Sequence, residues 1–254
     1  CSSLNEITIP SKITELKEEW CLDTPELNEV KVSPLNQRYC CIDENMIVGK
    51  ESIESPNYDC LVFCNRNINT LIIPSFIEHI CSYSFHRSSI KCITIPSKIT
   101  KIGKYAFSDC TQLQQVEFKN DSKLQIIDEG AFSNTLIEKI TIPSEVIIIG
   151  EKAFSNCKFL QQIEFNSKLQ RIDKGAFEFS SSIEYIFIPS EVTIIGENAF
   201  SLCRSLYEVE FDCDSKLQII DKGAFKSSSI EYIFIPSEVT IIGEEAFSMC
   251  PNLY

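Results

Sequence analysis

The sequence is short of basic residues, of glycine and of long apolar stretches. Its 254 residues include 36 acidic and only 23 basic side chains, for a net charge of −13. Binding to phosphate backbones requires a basic footprint, so we expect no nucleic-acid partner. No apolar run approaches the roughly 18 residues of a membrane-spanning helix. We therefore expect no membrane contact by this part of the protein, and leave open an anchor elsewhere in the full-length chain.

Signatures of catalysis are missing as well. The eight glycines form no phosphate loop, and neither G-x-S-x-G nor H-E-x-x-H is present. The two histidines, His79 and His86, lie near Cys81. A Cys–His nucleophile would also need a positioned base and an oxyanion site, and no accompanying motif supplies them. We predict that the protein is not an enzyme and that it has no cofactor and no metal site.

What the sequence does contain is repetition. The same eighteen letters, SSSIEYIFIPSEVTIIGE, occupy residues 180–197 and 227–244. Two versions of a unit of about 23 residues alternate, which gives a longer period of 46 or 47. Each unit has a phenylalanine after a small residue, at Phe85, Phe107, Phe132, Phe154, Phe177, Phe200, Phe225 and Phe247. Repeats of this length are typical of solenoids, in which stacked units bury a continuous core.

Within a unit, apolar residues first alternate and then become more widely spaced. The alternation at Ile186 and Ile188 predicts a short strand with one buried face. A Pro-Ser turn follows, and then a return segment that carries the phenylalanine into the core. For the unit that contains the repeated letters, we predict these core residues: Ile183, Ile186, Ile188, Val192 and Ile195.

The regular spacing is interrupted once. The strands that begin at Leu27 and Ile68 are 41 residues apart, about 18 more than one unit, and the excess lies within residues 33–67. This stretch contains two strand-like runs, 46–48 and 60–64. We interpret this stretch as a β-hairpin insert. Cys1 occupies the repeat position of Cys110, and CPNLY at the other end opens a further unit. We therefore expect residues 1–254 to be a single solenoid that is a fragment of a longer protein.

The unit IPSEVTIIGENAFSLCRSL, at 188–206, resembles the BspA-type (treponemal-type) leucine-rich repeats of bacterial and protist surface proteins. The insert, YCCIDENMIVGK through LIIPSFIEHICSYSF, is similar to the hairpin insert of that family. The resemblance implies an α/β-type repeat solenoid, a leucine-rich-repeat horseshoe. Most of its strands would be short and parallel, with short helical or irregular return segments. It also implies protein recognition, cell adhesion or a surface antigen, without catalysis.

Strand residues that do not point inward are the candidates for binding. Neighbours of buried strand residues face the other side of the sheet, which is the concave side in this family. Exposed aromatics with flanking carboxylates suit a basic or polar partner. The alternative is that these aromatics only pack along the sheet as duplicated neighbours. The tentative ligand-binding residues are Tyr185, Phe187, Glu208, Glu210, Tyr232 and Phe234; the same rule places Gln115, Glu117, Lys139, Thr141, Gln162 and Glu164 on this surface.

Eight of the thirteen cysteines fall into two groups that need separate explanations. The first occupies one repeat position at every second unit, about 10 Å apart, which is too far for disulfides. We interpret its members as small buried residues: Cys110, Cys157, Cys203 and Cys250. The second group lies in the insert, where zinc, a disulfide across the hairpin and free thiols remain alternatives. It comprises Cys40, Cys41, Cys60 and Cys64.

Two functions remain after these exclusions. The first is a cell-surface or extracellular adhesin or host-interaction antigen, whose partner is a protein or glycoprotein on a host or neighbouring cell. The alternative is an intracellular, cytoplasmic scaffold or receptor-type module that binds other proteins.

Overall fold

The computed structural model describes residues 3–165 and 168–254, so Cys1 lies outside the described residues. The chain begins with β1 (Glu6–Ile9) and β2 (Glu29–Val32), followed by β3 (Tyr39–Ile42), β4 (Met46–Gly49) and β5 (Cys60–Cys64). The regular layers then contribute β6 (Thr70–Ile72), β7 (His79–Ile80), β8 (Cys92–Ile95), β9 (Lys101–Ile102), β10 (Gln115–Phe118), β11 (Ile126–Ile127), β12 (Lys139–Thr141), β13 (Ile148–Ile149), β14 (Gln162–Glu164), β15 (Arg171–Ile172), β16 (Tyr185–Ile188), β17 (Ile194–Ile195), β18 (Glu208–Phe211), β19 (Ile219–Ile220), β20 (Tyr232–Ile233) and β21 (Ile241–Ile242).

Each regular layer supplies one strand to each of two parallel sheets. The face sheet contains β1, β2 and the even-numbered strands from β6 to β20. It is divided into the groups β1–β2, β6–β8–β10, β12–β14 and β16–β18–β20. The odd-numbered strands from β7 to β21 are two residues long and form the back sheet, whose ladder is unbroken. The inward side chains of both sheets meet in one core. The five predicted core residues are all 0% exposed: Ile183, Ile186, Ile188, Val192 and Ile195.

The return segment, which forms the third side of each layer, differs from the expected fold class. Short helical return segments were one expectation, but residues 3–165 and 168–254 contain no helix. Each return segment instead holds a two-residue strand followed by eight residues of consecutive turns. We call the stacked turns the turn ladder: residues 81–88, 103–110, 128–135, 150–157, 173–180, 196–203, 221–228 and 243–250. The molecule is a solenoid of β-strands and turns.

Backbone hydrogen bonds explain why these turns cannot wind into a helix. Within a turn, N–H groups of alternate residues bond three residues back, as from Ala153 to Gly150 (3.2 Å). The intervening N–H groups point out of the layer and bond to the next one, as from Phe154 to Ala176 (2.7 Å). In a helix every N–H group would bond along the helix axis. The backbone carbonyl groups of the neighbouring layer would then lose their hydrogen-bond donors.

This alternation requires two left-handed residues in each turn. Only three of the positions are glycine, and asparagine and aspartate, which tolerate this conformation best, hold several others. Non-glycine residues there cost free energy, which the bonds between layers offset. In the six regular turns from 103 to 228 the residues with φ near +60° are Tyr105, Asp109, Gly130, Asn134, Lys152, Asn156, Gly175, Phe179, Asn198, Leu202, Gly223 and Ser227.

A column of phenylalanines fills the core beside the turn ladder. Successive rings from Phe85 to Phe247 stack with centroids 4.6 to 5.6 Å apart and planes within 16° of parallel. The seven rings from Phe85 to Phe225 are 0% exposed. The ring spacing approximates the roughly 4.8 Å between neighbouring strands. One aromatic ring per layer therefore fits the repeat that the hydrogen bonds impose.

The insert contains more regular structure than a single hairpin. The expected runs at 46–48 and 60–64 form β4 and β5, and the sequence missed a further strand, β3. These three strands pair antiparallel in the order β3–β4–β5, and β5 then pairs parallel with β7. The insert is therefore a meander that extends the back sheet.

The phenylalanine column makes a clear prediction for stability. Phe154→Ala removes a fully buried ring and its stacking on both neighbours, so we expect the free energy of unfolding to fall by about 3–5 kcal/mol. Chemical denaturation measures this change. Phe159, which is 54% exposed, provides the matched control, and Phe159→Ala should change stability by no more than about 0.5 kcal/mol. Similar effects of the two substitutions would contradict the role of the column.

Candidate functional site

The six residues proposed for binding lie together on one outward surface of the face sheet. Glu208 on β18 is in register with Tyr185 on β16 and with Tyr232 on β20. Glu210 is in register with Phe187, and Phe234 directly follows β20. The parallel register brings side chains from three layers into one patch. We call it the aromatic–acidic face: Tyr185, Phe187, Glu208, Glu210, Tyr232 and Phe234.

Hydrogen bonds connect the phenols of this face to its carboxylates. The Tyr185 hydroxyl donates to Glu210 Oε2 at 2.7 Å, and the Tyr232 hydroxyl donates to Glu208 Oε1 at 3.5 Å. Partial burial, together with Glu210, raises the pKa of Tyr185 to about 12. Tyr185 therefore remains a neutral donor at physiological pH. The ring edges stay open to solvent, and Phe234 is 86% exposed.

A polar groove of about 780 Å³ lies on the same sheet, over β10, β12 and β14. It is lined by Gln115, Glu117, Lys139, Thr141 and Glu164, among others. The sequence placed these residues on the binding surface but gave no reason to single them out. The groove coincides with the interruption of strand pairing between β10 and β12, a feature that no sequence pattern signals.

Carboxylates on this part of the face sheet accept hydrogen bonds from neutral groups. Glu117 accepts from Gln115 at 2.7 Å, and Glu164 accepts from Thr141 at 2.9 Å. Across residues 3–165 and 168–254, no ion pair involves a carboxylate of β10, β14 or β18. On β1 and β2, by contrast, Lys31 pairs with both neighbouring glutamates at 2.7 Å. The described glutamates of these three strands are therefore outside any ion pair, and Lys119 and Lys139 line the groove beside Glu117 and Glu164.

The repeat cysteines are buried as predicted, but they are not merely apolar. Cys110, Cys157 and Cys203 are 0% exposed, and Cys250 is half-buried. Each thiol donates to the carbonyl of a column phenylalanine one layer earlier, at 3.0 to 3.2 Å. Serine or threonine fills the position in the alternate layers, as at Thr135. Each of these thiols thus satisfies a backbone carbonyl, and the hydroxyls of Thr135 and Ser180 donate to the carbonyls of Phe132 and Phe154.

The insert cysteines form no disulfide within the described residues. Cys60 contacts the thiol of Cys81, and this contact, with burial, raises the pKa of Cys60 far above its usual range. Cys41 donates to the carbonyl of Val30 at 3.2 Å. Cys40 and Cys64 are separate from this thiol pair, so the insert does not bring its four cysteines to one point.

The histidines occupy unrelated environments. The Nδ1 atom of His79, on β7 of the back sheet, lies 3.2 Å from Thr100 Oγ1. The ring of His86 is buried against Tyr83, and burial lowers the pKa of His86 below its usual value. His86 Nδ1 is 4.0 Å from a carboxylate oxygen of Asp109.

One potential metal-ligand atom from each of Asp212, Cys213 and Asp214 lies within 4.8 Å of the other two, in the turn after β18. The three residues are exposed or half-buried, and the sequence did not single them out.

In 3–165 and 168–254, no helix has the length and apolar character needed to cross a bilayer.

Comparisons with known proteins follow the same repeat. The family model described as BspA type Leucine rich repeat region matches six copies, over residues 1–40, 38–146 and 125–254. A search of curated protein sequences returned no significant match.

Solved structures of bacterial leucine-rich repeat proteins share the fold. One from Eubacterium ventriosum is 21% identical with a TM-score of 0.72, and the match covers 97% of this chain and 59% of the Eubacterium chain. A leucine rich cell surface protein from Faecalibacterium prausnitzii is 25% identical with a TM-score of 0.58, covering 85% and 51% respectively. The T. pallidum leucine-rich repeat protein is 20% identical with a TM-score of 0.64, covering 84% and 90%. The chain thus spans little more than half the length of the first two.

The buried thiols predict a specific dependence of stability on pH. Burial raises the pKa of Cys110 and of Cys157 to about 11, above the value in the unfolded chain. The contribution of each buried neutral thiol to stability is complete below the pKa of the thiol in the unfolded chain, which is near 9. That contribution is lost as the pH rises toward 11. Each thiol should contribute a slope of about 1.4 kcal/mol per pH unit across this window. Urea denaturation between pH 8 and 11 should show a shallower slope for Cys157→Ala than for the parent protein.

A second variant separates titration from packing. Leu160→Ala removes a buried side chain that cannot ionise, so it should lower stability at every pH and keep the parental slope. An unchanged slope in Cys157→Ala would contradict the assignment.

Proposed function

The chain belongs to the BspA-type leucine-rich repeat family, and from that premise we propose that it is a non-catalytic protein-recognition solenoid. Its partner binds through the aromatic–acidic face. Repeat solenoids present extended surfaces to their partners, and function depends on the outward positions because the inward ones are occupied by the core.

One observation carries this proposal. The fold does not require aromatic residues where Tyr185, Phe187, Tyr232 and Phe234 stand. In β12, a layer of the same Ile-Pro-Ser version, the equivalent positions hold Lys139 and Thr141. Polar residues are therefore compatible with the stacking. Four solvent-exposed rings lie on two layers that are separated by the layer of β18. They are exposed by 38% to 86%, and large exposed aromatic side chains of this kind mark interaction sites.

Duplication of a 47-residue unit accounts for the recurrence of the aromatics but not for the exchange of Lys and Thr for Tyr and Phe. Carboxylates between the rings add a requirement for a partner with positive or hydrogen-bond-donating groups. A protein or glycoprotein surface of that chemistry is the partner we propose.

We further propose that the protein is displayed at the cell surface as an adhesin or host-interaction antigen. The relative from Faecalibacterium prausnitzii, described as a cell surface protein, supports this location. A second candidate is an intracellular protein-binding scaffold. It is favoured by the free state of all twelve cysteines in the described part of the chain, because unpaired thiols suit a reducing compartment.

A four-residue variant tests the binding face. Replacing Tyr185, Phe187, Tyr232 and Phe234 by Ser should reduce binding to intact cells or immobilised matrix proteins by at least about tenfold, since buried aromatic contacts dominate interface energetics. Surface plasmon resonance or cell-binding assays measure the loss. The melting temperature should stay near that of the parent protein because the rings are solvent-exposed.

The matched control changes exposed aromatics elsewhere. Phe76, Phe159 and Phe179 are 47% to 54% exposed and lie outside the face sheet strands. Their replacement by Ser should leave binding intact. Equal binding by the parent protein and by the four-residue variant would remove the aromatic–acidic face as the site.

A further inference from the structure

A polar pocket of about 400 Å³ opens on the turn ladder. It extends over the turns 81–88, 103–110, 128–135 and 150–157, and Asp23 from the N-terminal part of the chain also borders it. Pockets of this volume are large enough to hold a small ligand. We call it the turn-ladder pocket, and its lining includes Tyr83, His86, Arg87, Tyr105, Ser108 and Asp109.

The imidazole of His86 borders this pocket without a hydrogen-bond partner. The residue is 6% exposed, and neither Nδ1 nor Nε2 has a partner among the described residues. The carboxylate of Asp109 is 4.0 Å from Nδ1, which is too long for a hydrogen bond. The nearby carbonyl of Ser108 accepts the amide of Arg87 at 3.0 Å and forms no bond of ordinary geometry with the ring. Buried polar atoms without partners are rare because they cost free energy, and both ring nitrogens are available to a ligand.

The fold does not require histidine at this position. The same position of the next three turns holds Ser108, Ser133 and Ser155, so a small hydroxyl side chain is compatible with the stacking. The hydroxyl of Ser133 donates to that of Ser108 at 2.9 Å, and the proton of Ser108 has no acceptor in the described part of the chain. His86 therefore adds two hydrogen-bonding atoms to a series of hydroxyls along the pocket.

The charged groups of the pocket already compensate one another. Arg87 pairs with Asp23 at 3.3 Å and with Asp109 at 3.8 Å. Lys152 pairs with Glu151 at 3.7 Å. An anion or a cation that entered the pocket would have to compete with these ion pairs. The pocket therefore favours a neutral polar ligand.

The uncharged groups of the pocket match the hydroxyls of a sugar. Burial lowers the pKa of His86, so its ring is neutral at pH 7 and carries one donor and one acceptor nitrogen. A sugar hydroxyl both donates and accepts, and so it can bond to either nitrogen and to a serine hydroxyl. The rings of Tyr83 and Tyr105, stacked with centroids 5.3 Å apart, supply apolar surface against which the C–H groups of a sugar ring can pack.

We propose that the turn-ladder pocket binds one neutral sugar ring, whose hydroxyls form hydrogen bonds with the imidazole of His86 and the hydroxyl of Ser108. The pocket lies on the turn ladder, whereas the aromatic–acidic face lies on the face sheet, so this is a second site beyond the proposed function. A free monosaccharide and the terminal unit of a glycan carry the same ring hydroxyls. They differ at the anomeric oxygen, which is free in the first and substituted in the second.

NMR of the imidazole rings tests the site directly, because the chain has only two histidines. The labelled protein is titrated with D-glucose, D-galactose and D-mannose. We expect at least one of these sugars to shift the ring-nitrogen signals of His86 in a saturable way. The signals of His79 should not move, since His79 lies on β7 of the back sheet. The variant His79→Gln assigns the two sets of signals and should keep the response.

Further titrations identify the source of the sugar and the alternatives. A response to the methyl glycosides of the same sugars assigns the pocket to the end of a glycan, and a response to the free sugars alone assigns it to a monosaccharide. Potassium phosphate and potassium acetate test for an anion site. The proposal is overturned by a larger His86 shift with either anion than with any sugar, by equal shifts of both histidines, or by no shift with any sugar or glycoside.

A substitution at His86 separates the site from the fold. His86→Ser introduces the side chain that the next three turns hold, and it should weaken binding of the responding sugar at least about tenfold, as expected for the loss of one or two hydrogen bonds. Isothermal titration calorimetry measures the affinity, with His79→Gln as the control that binds as the parent protein does. Parental affinity in His86→Ser would contradict the assignment. The NMR titration of the parent protein does not depend on the stability of this variant.

Discussion

Stacking of each layer on the next, at one fixed spacing, is the constraint on which the rest of this structure depends. The aromatic column repeats at 4.6 to 5.6 Å, close to the roughly 4.8 Å repeat of paired strands. No layer satisfies its own backbone: the N–H of Phe154 bonds to Ala176 in the following layer, as the N–H of Phe132 bonds to Ala153. A residue that fits one layer must therefore also fit its copies above and below. This requirement explains why inward positions hold the same few residue types throughout.

The same constraint leaves the outward positions free to vary, and that freedom makes a binding surface possible. Lys139, Tyr185 and Tyr232 occupy equivalent outward sites in related layers, although these side chains differ in charge, size and polarity. Because layers of two versions alternate, any outward residue specific to one version recurs at twice the layer spacing. Periodicity in the core is thereby transferred to the surface.

The sequence predicts the layer, its inward residues and the direction of its strand side chains. Alternation identifies Ile186 and Ile188 as buried and Tyr185 and Phe187 as outward, and the structure agrees. The helical return was wrong, because small residues, Ala and Phe at wide spacing fit both a helix and consecutive turns. Left-handed conformations at Lys152 or Leu202 depend on bonds to the neighbouring layer, which no local pattern encodes. The neutral partners of Glu117 and Glu164, and the groove above them, likewise depend on side-chain positions in adjacent layers.

Backbone amide hydrogen exchange tests the central claim, that the turn ladder is a hydrogen-bonded wall equivalent to the two sheets. The amides of Phe107, Phe132, Phe154, Phe177 and Phe200 donate to the next layer at 2.7 to 2.8 Å. We expect these amides to exchange as slowly as the hydrogen-bonded amides of the face sheet. The turn ladder and the sheets should open together as a single cooperative unit. Fast exchange of these five amides, with protection confined to the sheets, would show that the turns are ordinary loops and would contradict the account.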